Sequence, residues 1–312
     1  MAWLEITVNT ASDTVGQVAA ALTAGGFADL LIEDQEEIES FLEENRAYWD
    51  YIDEDLQQKL QGLSRIKLYV EDTDTEGLAK LEALLKSLKL TWEQTQLPET
   101  DWETSWQDSY PPQPVGQKLT VLPVWLSDTD IGDRLPVILD PGLTFGTGAH
   151  PSTRMVMAAM ENAIAPGSHC LDLGSGSGIL SIAALRLGAK LAVGVDIDPK
   201  AEDIARENAG FNGFGADVFT ALTGNVLADK TLMAKLKENT WDVVLVNIVA
   251  DVIIALSPVL PEFLSSHSKL ICSGILDTRL NDVLEALTRA GLIITQTHAE
   301  EEWRCLELKL GK

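Results

Sequence analysis

The sequence predicts an α/β protein in two parts, a small α+β domain followed by an open, mostly parallel sheet of the nucleotide-binding kind. Three observations predict it. Residues 169–199, HCLDLGSGSGILSIAALRLGAKLAVGVDIDP, read as strand, glycine turn, helix, strand and terminal acid, which is one βαβ unit. The first hundred residues read instead as β-α-β-β-α-β. At 312 residues with 46% hydrophobic content, the chain exceeds one average domain and can fill a full core.

Trp3 to Val8 alternates apolar and polar residues as a half-buried strand does, and Val15 to Leu22 has helical spacing that stops at Gly25-Gly26. Phe27 to Ile32 is expected as a second strand. Glu33 to Leu60 is densely acidic, with Tyr48, Trp49 and Tyr51 embedded, and reads as a partly helical insertion. Leu63 to Val70 follows as a strand, Leu78 to Leu88 as a helix with apolar residues at 78, 81, 84, 85 and 88, and Leu90 to Leu97 as a strand. That order fits a ferredoxin-like sandwich over residues 1–97. Such a fold has no chemistry of its own, so this half is read as a binding module.

Residues 98–114, PETDWETSWQDSYPPQP, are polar and proline-bearing yet carry Trp102, Trp106 and Tyr110. A flexible spacer has no use for those rings, so a semi-rigid linker is expected, with the second domain over 115–312. Lys118 to Val124 and Leu135 to Leu139 are expected as strands. Asp140 to Thr153, DPGLTFGTGAHPST, reads as a loop before a helix over 154–163. Ser152 or Thr153 sits at its cap or in its first turn, leaving free N–H groups that favour an anionic ligand such as a carboxylate. His150 invites assignment as a base, but a lone loop histidine beside a proline is more often structural.

In the 169–199 unit, Cys170 to Leu173 is the buried strand and Ile179 to Leu187 the helix. Gly174, Gly176 and Gly178 let the backbone approach a ligand and adopt positive φ. Leu191 to Val195 ends in Asp196, 22 residues after Gly174, where a carboxylate can accept from both hydroxyls of a ribose. The turn is G-x-G-x-G, with Ile179 in the slot of the third glycine of dinucleotide sites. Asp172, two residues before the first glycine, suits a ligand with an ammonium group better than a pyrophosphate. An ordinary glycine-rich turn would explain the glycines but not Asp196.

Pro199 opens a helix to Asn212, Val218 to Leu222 is a strand, and Gly224-Asn225 follows where an adenine-contacting side chain would fall. Trp241 to Ile248 is the next strand, with Asn247 near its carboxyl end, on the ligand side of such a sheet. A helix over 251–264, a strand over 269–274, a helix over 280–290 and strands over 292–297 and 304–310 complete the chain. The last two strands meet without a helix, so one is antiparallel.

The net charge of −25 is uneven: residues 1–110 hold 24 acids against 7 bases. Such a field repels nucleic acid and would steer in a basic protein, although solubility alone also explains it. No apolar run approaches ~18–20 residues and no signal pattern opens the chain, so the expectation is a soluble, cytoplasmic protein without a membrane partner. Cys170, Cys272 and Cys305 are widely spaced in strands and read as buried thiols rather than metal ligands.

The D-x-G-x-G-x-G turn resembles the first motif of class I methyltransferases that use S-adenosylmethionine. Together with DPGLTFGTGAHPST and the NIVA segment starting at Asn247, it makes the chain resemble the bacterial ribosomal protein L11 methyltransferase family. The likeness spans essentially the whole chain and is looser in the first hundred residues. The loop is its most specific part, because generic class I methyltransferases share the glycine turn but not FGTG-x-HP-x-T. The resemblance implies a class I methyltransferase Rossmann-like sheet of seven strands, ordered third, second, first, fourth, fifth, seventh, sixth, the seventh antiparallel. It implies a substrate-recognising N-terminal domain, S-adenosylmethionine as cofactor, and methyl transfer to lysine side chains and the α-amine of L11. By the same match Thr153, Gly174, Asp196 and Asn247 contact the cofactor. No catalytic base and no metal ligand is assigned, no direct nucleic-acid partner is expected, and the chain is read as a monomer.

Amino-methyltransferases of bases or glutamine typically carry N/D-P-P-Y/F where this chain has Asn247-Ile248-Val249-Ala250. With no ring to stack on a planar target, a tetrahedral amine fits better than a flipped base. The rivals are a glutamine or small-molecule N-methyltransferase on the same fold, an NAD-dependent oxidoreductase, which needs a glycine at Ile179, and a silent binding protein, which the intact cofactor residues disfavour.

Overall fold

The computed structural model describes residues 3–11, 13–27, 30–34, 64–97, 110–141 and 148–311. The chain divides into two compact units, Met1–Asp108 and Ser109–Lys312. Nearly all of the acidic insertion, Trp102 and Trp106 of the expected linker, and residues 142–147 of the loop lie outside the described residues.

The first unit runs β1 (Trp3–Asn9), α1 (Val15–Ala24), β2 (Leu30–Asp34), β3 (Ser64–Glu71), α2 (Thr75–Ser87) and β4 (Thr91–Leu97). Its antiparallel sheet is ordered β2-β3-β1-β4, the order of a split βαβ sandwich. The period of two in β1 and β3 puts Leu4, Ile6, Val8, Ile66, Leu68 and Val70 on one face, where they bury against Leu22 of α1 and Leu81 and Leu85 of α2. Phe27, expected to open the second strand, belongs instead to the stop of α1. It follows left-handed Gly26 and its N–H returns to the Leu22 carbonyl at 3.0 Å, so β2 begins at Leu30.

The second unit opens with β5 (Gln113–Val115), β6 (Leu119–Pro123) and β7 (Leu135–Leu139), a separate three-stranded sheet. Gln113 and Pro114, read from composition as the end of the linker, pair with Val121 and Thr120. There follow α3 (Pro151–Ala163), β8 (His169–Leu173), α4 (Ile179–Arg186), β9 (Leu191–Asp196), α5 (Pro199–Phe211), β10 (Phe219–Thr223), α6 (Lys230–Lys237) and β11 (Trp241–Asn247). The chain finishes with α7 (Ala250–Leu256), β12 (Leu264–Leu276), α8 (Leu280–Arg289), β13 (Leu292–Glu300) and β14 (Trp303–Leu310). The large sheet is ordered β10-β9-β8-β11-β12-β14-β13, parallel except for β14, which is antiparallel to both neighbours. Counted along its own strands this is third, second, first, fourth, fifth, seventh, sixth.

Its central strands are mostly apolar because helices cover both faces. Along β11, Val243 and Leu245 face a core built with α3, α4 and α5, while Val244 and Val246 face one built with α6, α7 and α8. Two elements differ from expectation. The helix over 251–264 ends at Leu256, and a 3-10 turn over Leu260–Phe263 follows. Pro258 and Pro261 lack the N–H groups that would continue the helix. The second difference is α6, eight residues with no sequence signal strong enough to claim them. It is capped by Asp229, which accepts from the Thr231 and Leu232 N–H groups.

The outer edge of β7 is paired by side chains rather than by a strand. The Ile138 N–H donates to Asn212 Oδ1 at 3.0 Å, and Asn212 Nδ2 donates back to the Ile138 carbonyl at 2.6 Å. One helical turn earlier, Asn208 Oδ1 accepts from the Asp140 N–H at 2.9 Å while its Nδ2 donates to the Ser177 carbonyl at 2.9 Å. Asn212, at the C-cap of α5, therefore continues the ladder, and Asn208 joins the start of the 140–153 loop to the glycine turn. A buried peptide group left without its partner costs about 1–3 kcal/mol. Asn212→Ala, which strands both groups of Ile138, should lower the unfolding free energy in urea by on the order of 3 kcal/mol. A loss below about 0.5 kcal/mol would show that water or a neighbour replaces the amide.

Candidate active site

The site lies at the carboxyl edge of the parallel strands, where β8, β9 and β11 end beside the N-terminus of α3. Gly174, Gly176 and Gly178 all have positive φ, at 78°, 48° and 79°. A Cβ on Gly174 would stand 2.2 Å from Ile248 Cγ2, and one on Gly178 would stand 3.0 Å from Ala205 Cβ. Neighbouring side chains thus require these glycines, as well as the turn itself. The Gly174 and Ser175 N–H groups donate to the Val195 carbonyl at 2.8 and 3.1 Å, clamping the turn to the end of β9.

Asp196 follows at once, and its two oxygens are each held by one backbone donor. Oδ2 accepts from the Gly176 N–H at 2.8 Å and Oδ1 from the Asp198 N–H at 3.0 Å. Each oxygen keeps a further lone pair for a ligand hydroxyl. Ile197, next to it, is 55% exposed. A bare apolar side chain beside a hydroxyl acceptor suits a flat heteroaromatic ring. The sequence reading passed over Ile197; its signal is a lone apolar residue between two acids at a strand tip. Asn225, considered for such a ring, has its Oδ1 engaged by the Leu227 N–H at 2.9 Å in a local turn.

Thr153 and Asn247 are 94 residues apart in sequence and in direct contact: Asn247 Nδ2 donates to Thr153 Oγ1 at 3.1 Å. Thr153 is buried in the first turn of α3, whose cap is His150 rather than Ser152 or Thr153. With its nitrogen committed to Thr153, the Asn247 amide presents its oxygen as an acceptor. The four residues singled out from sequence are therefore assembled along one edge. Thr153 is bonded to Asn247, Gly174 packs on the residue after Asn247, and Asp196 is bonded to Gly176.

The family profile described as "Ribosomal protein L11 methyltransferase (PrmA)" matches residues 2–310. This chain belongs to that family. A ribosomal protein L11 methyltransferase from Heliobacterium modesticaldum is 35% identical over 315 residues, 98% of this chain and 96% of the relative. One from Alkaliphilus oremlandii is 33% identical over 321 residues, 99% of each. Among solved structures, a ribosomal protein L11 methylase from Lactobacillus delbrueckii subsp. bulgaricus is 30% identical with a TM-score of 0.59, covering 65% of this chain and 100% of that one.

In this methyltransferase, His150 works as a cap. Its Nδ1 accepts from the Ser152 N–H at 3.3 Å and lies 2.7 Å from Ser152 Oγ, while its ring meets Trp303 edge-on at 4.5 Å between centroids. Burial, with the charge of Arg154 added, holds the imidazole below its ordinary pKa against the opposing pull of Glu300, Glu301 and Glu302. The backbone donor at Nδ1 favours the tautomer with its proton on Nε2. With Nδ1 engaged by Ser152 and the ring against Trp303, the contacts of His150 are those of a structural cap.

Asp172 is completely buried beneath the turn. Its Oδ2 accepts from the Ser181 N–H at 3.1 Å and from Ser181 Oγ at 2.9 Å, so it caps the first turn of α4 from the preceding strand. Toward a cationic ligand it acts through its field, having no exposed atom to offer. Its Oδ1 has no hydrogen-bond partner among the described residues. Burial pushes this carboxyl up to about 7, against the bonds from Ser181 and with the charge of Asp196 adding to the rise.

A carboxyl raised in the folded state binds its proton more tightly there than in the unfolded chain. The stability it contributes is greatest near pH 4 and is lost as pH rises to about 7. Displacement from 3.8 to about 7 is worth on the order of 4 kcal/mol. Asp172→Asn keeps an acceptor for Ser181 and abolishes the titration. Relative to the parent, the variant should therefore gain on the order of 4 kcal/mol between pH 4 and pH 8 in urea titrations. A difference that does not vary with pH would contradict the raised carboxyl.

Proposed function

We propose that this chain is an S-adenosylmethionine-dependent N-methyltransferase of ribosomal protein L11, acting on lysine side chains and on the α-amine. Thr153, Gly174, Asp196 and Asn247 hold the cofactor in this reading. Residues 115–312 carry the chemistry, residues 1–97 recognise the substrate and 98–114 connect them, in the cytoplasm. The observation that carries it is Asn247, oriented by Thr153 at the end of β11 and followed by Ile248-Val249-Ala250 without proline or ring.

The residues present fit the cofactor. The anchored Asp196 carboxylate suits the two ribose hydroxyls, Ile197 suits the adenine, and the acid beneath the glycine turn suits a cation. When bound, S-adenosylmethionine supplies a methyl group on a positively charged sulfur. The chain's part is alignment and exclusion of water: the glycine turn and Asp196 fix one reactant, and the Asn247 segment faces the other. A lysine with an ordinary pKa near ~10.4 must shed a proton before it can attack. Burial of the incoming ammonium disfavours its charged form and so promotes loss of that proton to solvent before the amine attacks. The 24 acids among residues 1–110 provide a field that draws in a basic substrate.

The decisive experiment incubates the chain with radiolabelled S-adenosylmethionine and isolated ribosomal proteins. Label on amines of L11 is expected; label on a glutamine, or on no protein, would refute the proposal. For the cofactor, Asp196→Ala should weaken S-adenosylmethionine binding by about 1–3 kcal/mol, roughly 5- to 150-fold. Unchanged affinity by calorimetry would remove Asp196 from the ribose site. For the division of labour, a truncated chain starting at Ser109 should still bind S-adenosylmethionine and fail to methylate L11. Full activity of that fragment on L11 would refute recognition by residues 1–97.

A further inference from the structure

Ile248 is the residue of the Asn247 segment that packs against the cofactor turn, and it is gripped from two sides. Its Cγ2 occupies the space beside Gly174, where an added Cβ would come within 2.2 Å. Its backbone lies against Gly274 of β12, where a Cβ would stand 2.4 Å from the Ile248 oxygen, 2.9 Å from its carbonyl carbon and 3.0 Å from its nitrogen. Gly274 has φ +82°, in the stretch where the pairing of β12 with β14 shifts register between Cys272 and Ile275. The Ile248 N–H donates to the Ser273 carbonyl at 3.2 Å. The backbone of Ile248 is thus fixed to β12, while its side chain reaches the first glycine of the turn.

We infer that Ile248 is a positioning residue, whose β-branch sets the spacing between the glycine turn and the acceptor segment that begins at Asn247. The inference rests on the reading of this site as a methyltransferase centre. A side chain that only filled space would not need its branch at Cβ, because leucine has the same volume. Contact with Gly174 does need it, since Cγ2 is the atom that makes the approach. In-line transfer tolerates little misplacement of the reacting atoms, and an error of about 1 Å can cost on the order of 10²-fold in rate. A change in this spacing should therefore appear in kcat while the cofactor still binds.

The test compares Ile248→Val, Ile248→Leu and Ile248→Ala in the full chain. Valine keeps both branches at Cβ, and leucine keeps the volume while moving the branch outward. The valine variant is expected within about twofold of the parent kcat, and the leucine and alanine variants roughly tenfold or more below it. Calorimetric affinity for S-adenosylmethionine should stay within about threefold throughout. Space-filling alone predicts leucine best, then valine, then alanine, with kcat following thermal stability; that result would overturn the role. If the leucine variant fails to fold, Ile248→Thr against Ile248→Ala makes the same comparison, because threonine also keeps Cγ2. Equal kcat for those two would overturn it as well. A parent chain that bound no S-adenosylmethionine would instead overturn the reading of the site, whereas normal binding with the wrong rank order overturns only the role of Ile248.

Discussion

The handover from β8 to α4 is made by three residues of positive φ at alternate positions, Gly174, Gly176 and Gly178. Apart from the Gly178 N–H, which donates to the Ser175 carbonyl at 2.8 Å, several polar groups of this backbone are satisfied by other elements. The Gly176 N–H goes to Asp196, the Gly174 and Ser175 N–H groups to Val195, and the Ser177 carbonyl to Asn208. The missing side chains admit Ile248 on one side and Ala205 on the other. The end of β9, the helix α5 and the segment after β11 are thus all indexed to this one turn, and so is every residue assigned to the cofactor except Thr153. Thr153 joins through Asn247.

Electrostatics at the turn follow from the same geometry. Two acids approach it, and the protein treats them differently. Asp196 receives two backbone donors and keeps room for ligand hydroxyls. Asp172 lies underneath, is bonded on one oxygen only, and is raised to about 7 by its burial. A cation held over the turn stabilises the charged form of such a group, so near neutral pH the field beneath the site responds to what occupies it. Beside this pair of acids, His150 caps α3 and packs against Trp303.

The two units differ in build and in charge. The first has a core of strand and helix residues on one sheet face and carries most of the excess acidity. The second covers its parallel sheet on both faces, which leaves the carboxyl edge of the strands as the place where loops and helix N-termini can meet a ligand. A sheet buried on both faces suits alignment of a ligand at a rigid edge.

What the sequence determined by itself was whatever a few neighbouring residues can specify. The alternate glycines, the acid ending β9, the period of two in β1 and β3 and the apolar central strands act through local backbone preference and burial. They were sufficient for the fold class and for singling out Gly174 and Asp196, whereas Thr153 and Asn247 were named as cofactor contacts by the family resemblance. Only the tertiary structure decided that Thr153 and Asn247 are bonded, that Asp172 caps α4, that Asn208 and Asn212 stand in for a strand beside β7, and that Ile248 is wedged between Gly174 and Gly274. Each of these joins residues distant along the chain through one or two atoms, and such contacts leave no periodicity to read. The short α6 was missed for a related reason: two turns of helix carry too few apolar residues to declare a period, and what holds it is packing against the sheet and the cap from Asp229.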